Sequence, residues 1–219
     1  MAEPLPGRRP LTSRDRRWAI VSADWLARRG VAPNAISVVS AFFASGAGAC
    51  LVASSQVASG IAARALLVGV AALIQLRLVC NLLDGMVAIE GGRRSATGGL
   101  FNEIPDRIAD VVILVCAGYA AQGLPHLNAL GWLCACLAVL TAYLRALGES
   151  LGCAACFLGP MAKPHRMAAM TVAALTAAVA LPWAGRILGV TLGVIAVGAI
   201  ITCVRRIHAI AGELTRRPQ

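Results

Sequence analysis

The stretch NLLDGMVAIEGGRRSATGGLFNEIPDRIAD, residues 81–110, decides how this chain is read. It sets Asn81, Asp84, Gly85, Ala88, Gly98, Asn102, Asp106 and Asp110 inside or beside apolar runs. An ionisable side chain within a membrane span costs roughly 2.5–3.5 kcal/mol on insertion scales. A chain that keeps several of them on two adjacent segments holds a polar site inside a bundle of membrane helices. The rest of the sequence supplies that bundle. Of 219 residues, 58% are apolar, and the mean hydropathy is +0.75, above that of an ordinary soluble domain. The apolar residues gather in six runs: 36–53, 62–83, 100–121, 127–147, 167–181 and 187–204. Most approach the length that crosses about 30 Å of hydrocarbon. The expected fold is an all-α integral membrane protein, with six transmembrane helices preceded by a surface amphipathic helix. Residues 1–31 read as a basic cytoplasmic segment, 32–208 as the six-helix transmembrane domain and 209–219 as a cytoplasmic tail.

Charge orients the bundle. Arg8, Arg9, Arg14, Arg16, Arg17, Arg28 and Arg29 precede the first span, and their excess holds that end in the cytoplasm. The segment lacks the apolar core of a cleaved signal peptide. Six spans return the C-terminus, with Arg205, Arg206, Arg216 and Arg217, to the same side. Arg93, Arg94, Lys163 and Arg166 also fall on cytoplasmic loops, and only Arg64 and Arg186 fall outside. Both termini are expected in the cytoplasm, with the chain in the cytoplasmic (inner) membrane. The formal net charge of +10 is then a topology signal. Nucleic acid is not an expected partner, because the basic residues flank spans and few aromatics accompany them. Anionic lipid headgroups are.

Local signals punctuate the bundle. Trp18, Ile20, Val21, Trp25 and Leu26 alternate with charged residues at helical spacing, which suits a helix lying on the membrane surface. Pro33 interrupts any helix before it, and Asn34 or Ser37 can cap the helix that follows. Gly152, Gly159, Pro160 and Pro164 make the loop over 148–166 irregular. Gly185, Gly189 and Gly193 recur every four residues, letting helix backbones approach closely within the bundle or at a dimer seam. Most of the eight cysteines lie in spans as small buried residues. Cys153 and Cys156 form a single CxxC without the second half of a metal site.

On a helix, residues three, four and seven apart share a face. Arg77, Asn81, Asp84 and Ala88 form one stripe at the cytoplasmic end of the second span. Asn102, Asp106 and Asp110 form one on the third. The short loop between these spans makes them antiparallel neighbours, with the two stripes facing. Hard oxygen ligands in such a pocket, drawn from Asn81, Asp84, Asn102, Asp106 and Asp110, suit Mg²⁺ or Mn²⁺. Small residues at Gly85, Ala88 and Gly98 let a flat base or a phosphate reach the backbone. A purely structural polar network is the alternative. Its bonds contribute only about 1–2 kcal/mol each in membranes, too little to account for so many polar groups at one level. Asp110 is open between a ligand and a structural partner of Arg77 or Arg107. Arg145, with Glu149 four residues on, and Lys163, His165 and Arg166 across the loop suit an anionic acceptor or the phosphates of a donor.

These residues resemble the signature of the CDP-alcohol phosphotransferases, a family of integral membrane enzymes, which reads D-x2-D-G-x2-A-R-x8-G-x3-D-x3-D. It falls on Asn81, Asp84, Gly85, Ala88, Ile89, Gly98, Asn102 and Asp106 with every spacing kept. Pro33, Asn34 and Ser37 resemble the family's Pro-Asn-x-x-Thr start of the first span. Tyr143, Arg145 and Ala146, then Gly159 and Arg166, resemble its later elements. The resemblance implies transfer of a phosphoalcohol group, usually phosphatidyl, from a CDP-alcohol such as CDP-diacylglycerol to a hydroxyl acceptor. CMP is released, as a step in phospholipid biosynthesis, with Mg²⁺ or Mn²⁺ as cofactor. It implies Asp106 as catalytic base, Asp84 as the metal carboxylate, and Asn34, Asn81, Gly85, Ala88 and Gly98 around the nucleotide. It further implies Arg145, Lys163 and Arg166 at the acceptor, a small alcohol or phosphorylated alcohol, and a homodimer among membrane lipids. Asn81 and Asn102 stand where the signature has aspartate, and Ile89 where it has arginine. Each missing unit charge is worth on the order of 4 kcal/mol at ~4 Å and an effective dielectric of ~20. The expectation is therefore one firmly held ion, ligated by Asp84 with Asn81, Asn102 or Asp106 assisting. A catalytically silent member that binds a CDP-lipid or a partner protein is the alternative.

Overall fold

The computed structural model describes residues 16–89, 96–121 and 125–216. Arg8, Arg9, Arg14, Arg93, Arg94 and Arg217 lie outside the described residues. Helix is the dominant structure, and the described residues contain no strand. α1 spans Arg17–Arg28, α2 Pro33–Gln56, α3 Gly60–Ile89 and α4 Gly98–Ala120. α5 spans Leu127–Ser150 and α6 Lys163–Val179; a 3-10 turn at Leu181–Trp183 leads into α7, Ala184–Thr215. The six apolar runs of the sequence fall on α2 to α7 in order, none overrunning its helix by more than two residues.

By length and composition, four stretches can cross a membrane: Pro33–Gln56, Gly60–Ile89, Leu127–Ser150 and Leu181–Thr215. α4 and α6 differ for identifiable reasons. α4 carries Glu103, Asp106, Arg107 and Asp110 along its first thirteen residues, and α6 is only 17 residues long. The outer surface is apolar, with Phe42 71% and Val179 79% exposed. Such continuous apolar surface belongs against lipid rather than water.

Small residues set the packing, as they do where helices associate in membranes. A Cβ on Gly48 of α2 would stand 2.9 Å from Val112 and Cys116 of α4. α4 and α5 cross backbone to backbone at Gly118 and Gly131, where either Cβ would come within 2.9 Å of the other glycine's Cα. Gly189 of α7 packs on Leu127 of α5, within the bundle, whereas Gly193 has no neighbour within 4 Å of a built Cβ. The shared core runs through Leu51, Ile74, Ile113, Leu114, Met170 and Leu192.

Three local expectations change. α3 and α4 are sequence neighbours but touch only sparsely; α2 packs against both. The polar stripes therefore face each other across a gap bridged by side chains, rather than along a packed seam. Neither Asn34 nor Ser37 caps α2. The N-cap is Ala32 with no side-chain bond, because the helix already begins at Pro33, whose missing N–H suits that position. On α1, Ala19 and Ala23 are buried among Ile36, Leu82, Leu83, Met86 and Val87, while Trp18, Val21 and Trp25 point outward. Ala19 and Ala23, with the half-buried Leu26, hold it to the bundle.

Candidate functional site

The gap between α3 and α4 collects the polar residues of the signature. From α2, the Ser37 hydroxyl donates to Asp84 Oδ2 at 2.6 Å. Asp84 is buried and has no Lys or Arg within ion-pair distance among the described residues. Three residues earlier on α3, Asn81 Nδ2 donates to Asp106 Oδ1 at 2.7 Å. The other oxygen of Asp106 accepts from Lys163 Nζ at the start of α6. Arg107 lies 3.6 Å from that same oxygen and Arg77 lies 3.6 Å from Oδ1. Pro105, just before Asp106, removes one backbone donor from the first half of α4.

One turn deeper, Asp110 is held between two arginines. Arg77 meets one carboxylate oxygen and Arg166 the other, each at 2.7 Å. All three side chains are essentially sealed from solvent. Arg166 also donates to the Met161 carbonyl at 2.8 Å and to Thr141 Oγ1 at 3.2 Å. Arg77 donates to the Asp106 carbonyl at 3.2 Å. Buried ions persist in a low-dielectric interior only when paired and hydrogen-bonded in this way.

Two cavities open from the gap. The smaller, about 280 Å³, is lined by Asn34, Ser37, Asp84, Gly85, Ala88 and Gly98 among others. The larger, about 510 Å³, is lined by Asn81, Asp106, Arg145, Lys163, Arg166 and Arg206 among others. Asn102 lines both. The first offers small residues and one buried carboxylate. The second is rich in cations. A nucleotide suits the first and an anionic group the second. The basic groups of the larger cavity are mostly paired already. Arg145 contacts Glu103 at 2.5 Å and Glu149 at 3.2 Å.

No protein-family model matches the chain. The phosphatidylinositol phosphate synthase of Streptomyces avermitilis is 29% identical over 146 residues, which cover 64% of this chain and 60% of that protein. The chain thus matches under two thirds of the length of that curated relative. The crystal structure of Mycobacterium tuberculosis phosphatidylinositol phosphate synthase with CDP-DAG bound superposes with a TM-score of 0.73 at 22% identity, covering 89% of this chain and 94% of that one. The same enzyme in complex with manganese and citrate gives 0.72 at 22% identity, over 88% of each chain. The chain shares the fold of these phosphatidylinositol phosphate synthase structures.

Within that fold, the candidate residues sort by place. Asn34, Asp84, Gly85, Ala88 and Gly98 share the smaller cavity; Asn81, Asp106, Arg145, Lys163 and Arg166 share the larger. Asp110 is apart from both cavities, with each oxygen engaged by an arginine. Among the described residues, no three His, Cys, Asp or Glu side chains gather as a metal-ligand cluster. Asn81 and Asn102 stand where a phosphotransferase signature would supply two of those carboxylates.

Several contacts escaped sequence reading. Arg206 reads as a C-terminal flank, yet it is buried in the bundle. It donates to the Thr141 carbonyl and, at 3.1 Å, to the Leu158 carbonyl. Its spacing of four from Thr202, which accepts from the Met161 N–H at 3.0 Å, is the one signal that placed it inward. The Ser37–Asp84 and Arg145–Glu103 bonds join residues 47 and 42 apart, and nothing local announces either.

Proposed function

We propose that this chain is a membrane CDP-alcohol phosphotransferase. It transfers a phosphoalcohol group, phosphatidyl when the donor is CDP-diacylglycerol, to a hydroxyl acceptor and releases CMP. The observation that carries the reading is the pair of cavities that share Asn102 as a lining residue, with Asp84 on the small-residue side and Asp106 on the cationic side. The CDP-DAG and manganese bound in the related mycobacterial structures support the donor and the cofactor.

The residues fit a divalent cation at Asp84. A buried carboxylate with no cationic partner among the described residues, lining a cavity, is costly unless a cation completes it. Asp84 would hold the ion, with the amide oxygens of Asn81 and Asn102 assisting. When bound, it neutralises pyrophosphate charge and makes CMP a better leaving group. The chain does the remainder. Gly85, Ala88 and Gly98 leave room for the nucleotide beside Asn34. Asp106 takes the proton of the acceptor hydroxyl. A carboxylate has about four lone-pair sites, and the bonds from Asn81 and Lys163 occupy two. Arg145 and Lys163 orient an anionic acceptor, while Arg166 acts from behind by fixing Asp110 and the Met161 turn. We place Asp110 outside the metal set, as the anion that holds Arg77 and Arg166.

The same reading includes six spans, α2 to α7, with the charged half of α4 turned inward. α1 lies on the cytoplasmic surface with Trp18 and Trp25 among headgroups, Arg29 stacking 4.4 Å over Trp25. Both termini are cytoplasmic. A homodimer uses the open face of α7 around Gly193, where a second helix backbone can approach.

The replacement of two signature carboxylates by Asn81 and Asn102 favours a second reading, a silent relative that binds a CDP-lipid without turnover. Purified protein is given labelled CDP-diacylglycerol, Mg²⁺ or Mn²⁺ and a panel of alcohols and phosphorylated alcohols. Acceptor-dependent CMP release that falls by about 10²–10⁴ in Asp106→Asn is expected of a general base. Donor binding without CMP release under every acceptor selects the silent relative.

A further inference from the structure

We propose that Lys163 is a built-in cation at Asp106, so that the site takes a single divalent ion, at Asp84. This rests on the reading of Asp84 as the metal carboxylate and adds what the opposite side of the site does.

The two carboxylates differ in company. Asp84 accepts from the Ser37 hydroxyl and has no cationic side chain within ion-pair distance among the described residues. Asp106 has three. Lys163 donates directly to Oδ2, Arg107 stands 3.6 Å from that oxygen, and Arg77 stands 3.6 Å from Oδ1. The Asn81 amide turns its N–H toward Oδ1 at 2.7 Å. Arg77 is shared with Asp110 at 2.7 Å and Arg107 with Glu103 at 3.6 Å, whereas the ion pair of Lys163 is with Asp106 alone among the described residues, so a divalent ion approaching Asp106 would meet the ammonium charge already on its carboxylate. The neighbouring side-chain oxygens are then amide oxygens, of Asn81 and Asn102, which bring no charge.

The arrangement is self-consistent along the chain. An aspartate at position 81 would face Asp106 carboxylate to carboxylate and would demand a cation between them. An asparagine there instead donates to Asp106, and the lysine supplies the positive charge from α6. Lys163 sits at the first residue of α6 next to Pro164. Its helix start is therefore fixed, and its side chain is delivered to the same oxygen without a mobile loop residue. The charge that an ion would otherwise bring is thus covalently part of the protein.

Mn²⁺ titration of the purified full chain in detergent, without nucleotide or lipid donor, counts the ions; free Mn²⁺ is followed by its EPR signal. Wild type is expected to bind one Mn²⁺ per chain, and Asp84→Asn none. Asn81→Asp still binds one, because Lys163 remains on Asp106. Asn81→Asp combined with Lys163→Met binds two. Combination with Lys163→Gln, which keeps a hydrogen-bond donor, also binds two, so a packing defect of the methionine variant does not decide the result. Two ions in wild type or in Asn81→Asp alone, or one ion in both double variants, overturns the proposal. No ion in wild type overturns both this proposal and the metal reading of Asp84. Acceptor-dependent CMP release is measured separately, so loss of the transferase reading leaves the ion count standing.

Discussion

Replacing Asp110 by asparagine tests whether this residue holds the bundle together or serves the chemistry. The change keeps the side-chain shape and one carbonyl acceptor but removes the anion between Arg77 and Arg166, each 2.7 Å away. Removing one partner of a buried pair costs about 3–5 kcal/mol, because an uncompensated charge stays buried. The two arginines do not suffer equally. Arg77 retains Asp106 at 3.6 Å, whereas Arg166 is left with Thr141 and the Met161 carbonyl. The expected loss is therefore near the value for one broken pair, about 3–5 kcal/mol, rather than twice that. For a chain of this size, 1 kcal/mol moves the unfolding midpoint by roughly 2–4 °C, so the midpoint should fall by roughly 6–20 °C. A thiol-reactive fluorogenic dye reads this in detergent, because Cys134, Cys153 and Cys203 are buried until the bundle opens. Mn²⁺ affinity should not change. A midpoint within about 2 °C of wild type, together with weakened Mn²⁺ binding, would refute the structural role and make Asp110 a ligand. Replacing all three residues by apolar ones of similar volume, Arg77→Met, Asp110→Leu and Arg166→Met, should recover most of the lost stability, as buried ion clusters often permit.

Two further outcomes follow from particular contacts. Gly159→Ala should destabilise by roughly 1–3 kcal/mol, read with the same dye, because φ is +116° and the added Cβ would stand 2.5 Å from Thr202 Cγ2. Arg145→Ala should raise the KM for a phosphorylated acceptor by roughly 10–100-fold, the worth of one charged hydrogen bond, while leaving the KM for CDP-diacylglycerol unchanged; an equal rise in both removes Arg145 from the acceptor side.

How much of this was legible beforehand depends on the range of the signal. The helices were legible because each apolar run reports its own burial, and the runs coincide with α2 to α7. The grouping of Asn81, Asp84 and Ala88, and of Asn102 and Asp106, was legible because helical spacing alone fixes which residues share a face. An irregular loop was legible from Gly152, Gly159 and Pro160, and Gly152 and Gly159 have positive φ, but it spans 151–162 rather than 148–166, because α5 continues to Ser150 and α6 begins at Lys163, where Pro164 is tolerated in the first helical turn.

What joins those stripes was not legible. From the short connection, α3 and α4 read as packed partners, yet α2 stands against both and leaves the gap in which the cavities lie. The sequence could offer Asp110 either a metal or an arginine, and it could make Arg206 a topological flank. Only the folded bundle gives Asp110 two guanidiniums and gives Arg206 two backbone carbonyls. The physical reason is one of distance along the chain. Periodicity and insertion energy act on neighbours within a helix and are written locally. The pairing of a buried charge is settled by whichever opposite charge the packing of distant helices delivers. Lys163 reaches Asp106 across 57 residues of sequence, and no local pattern encodes that meeting.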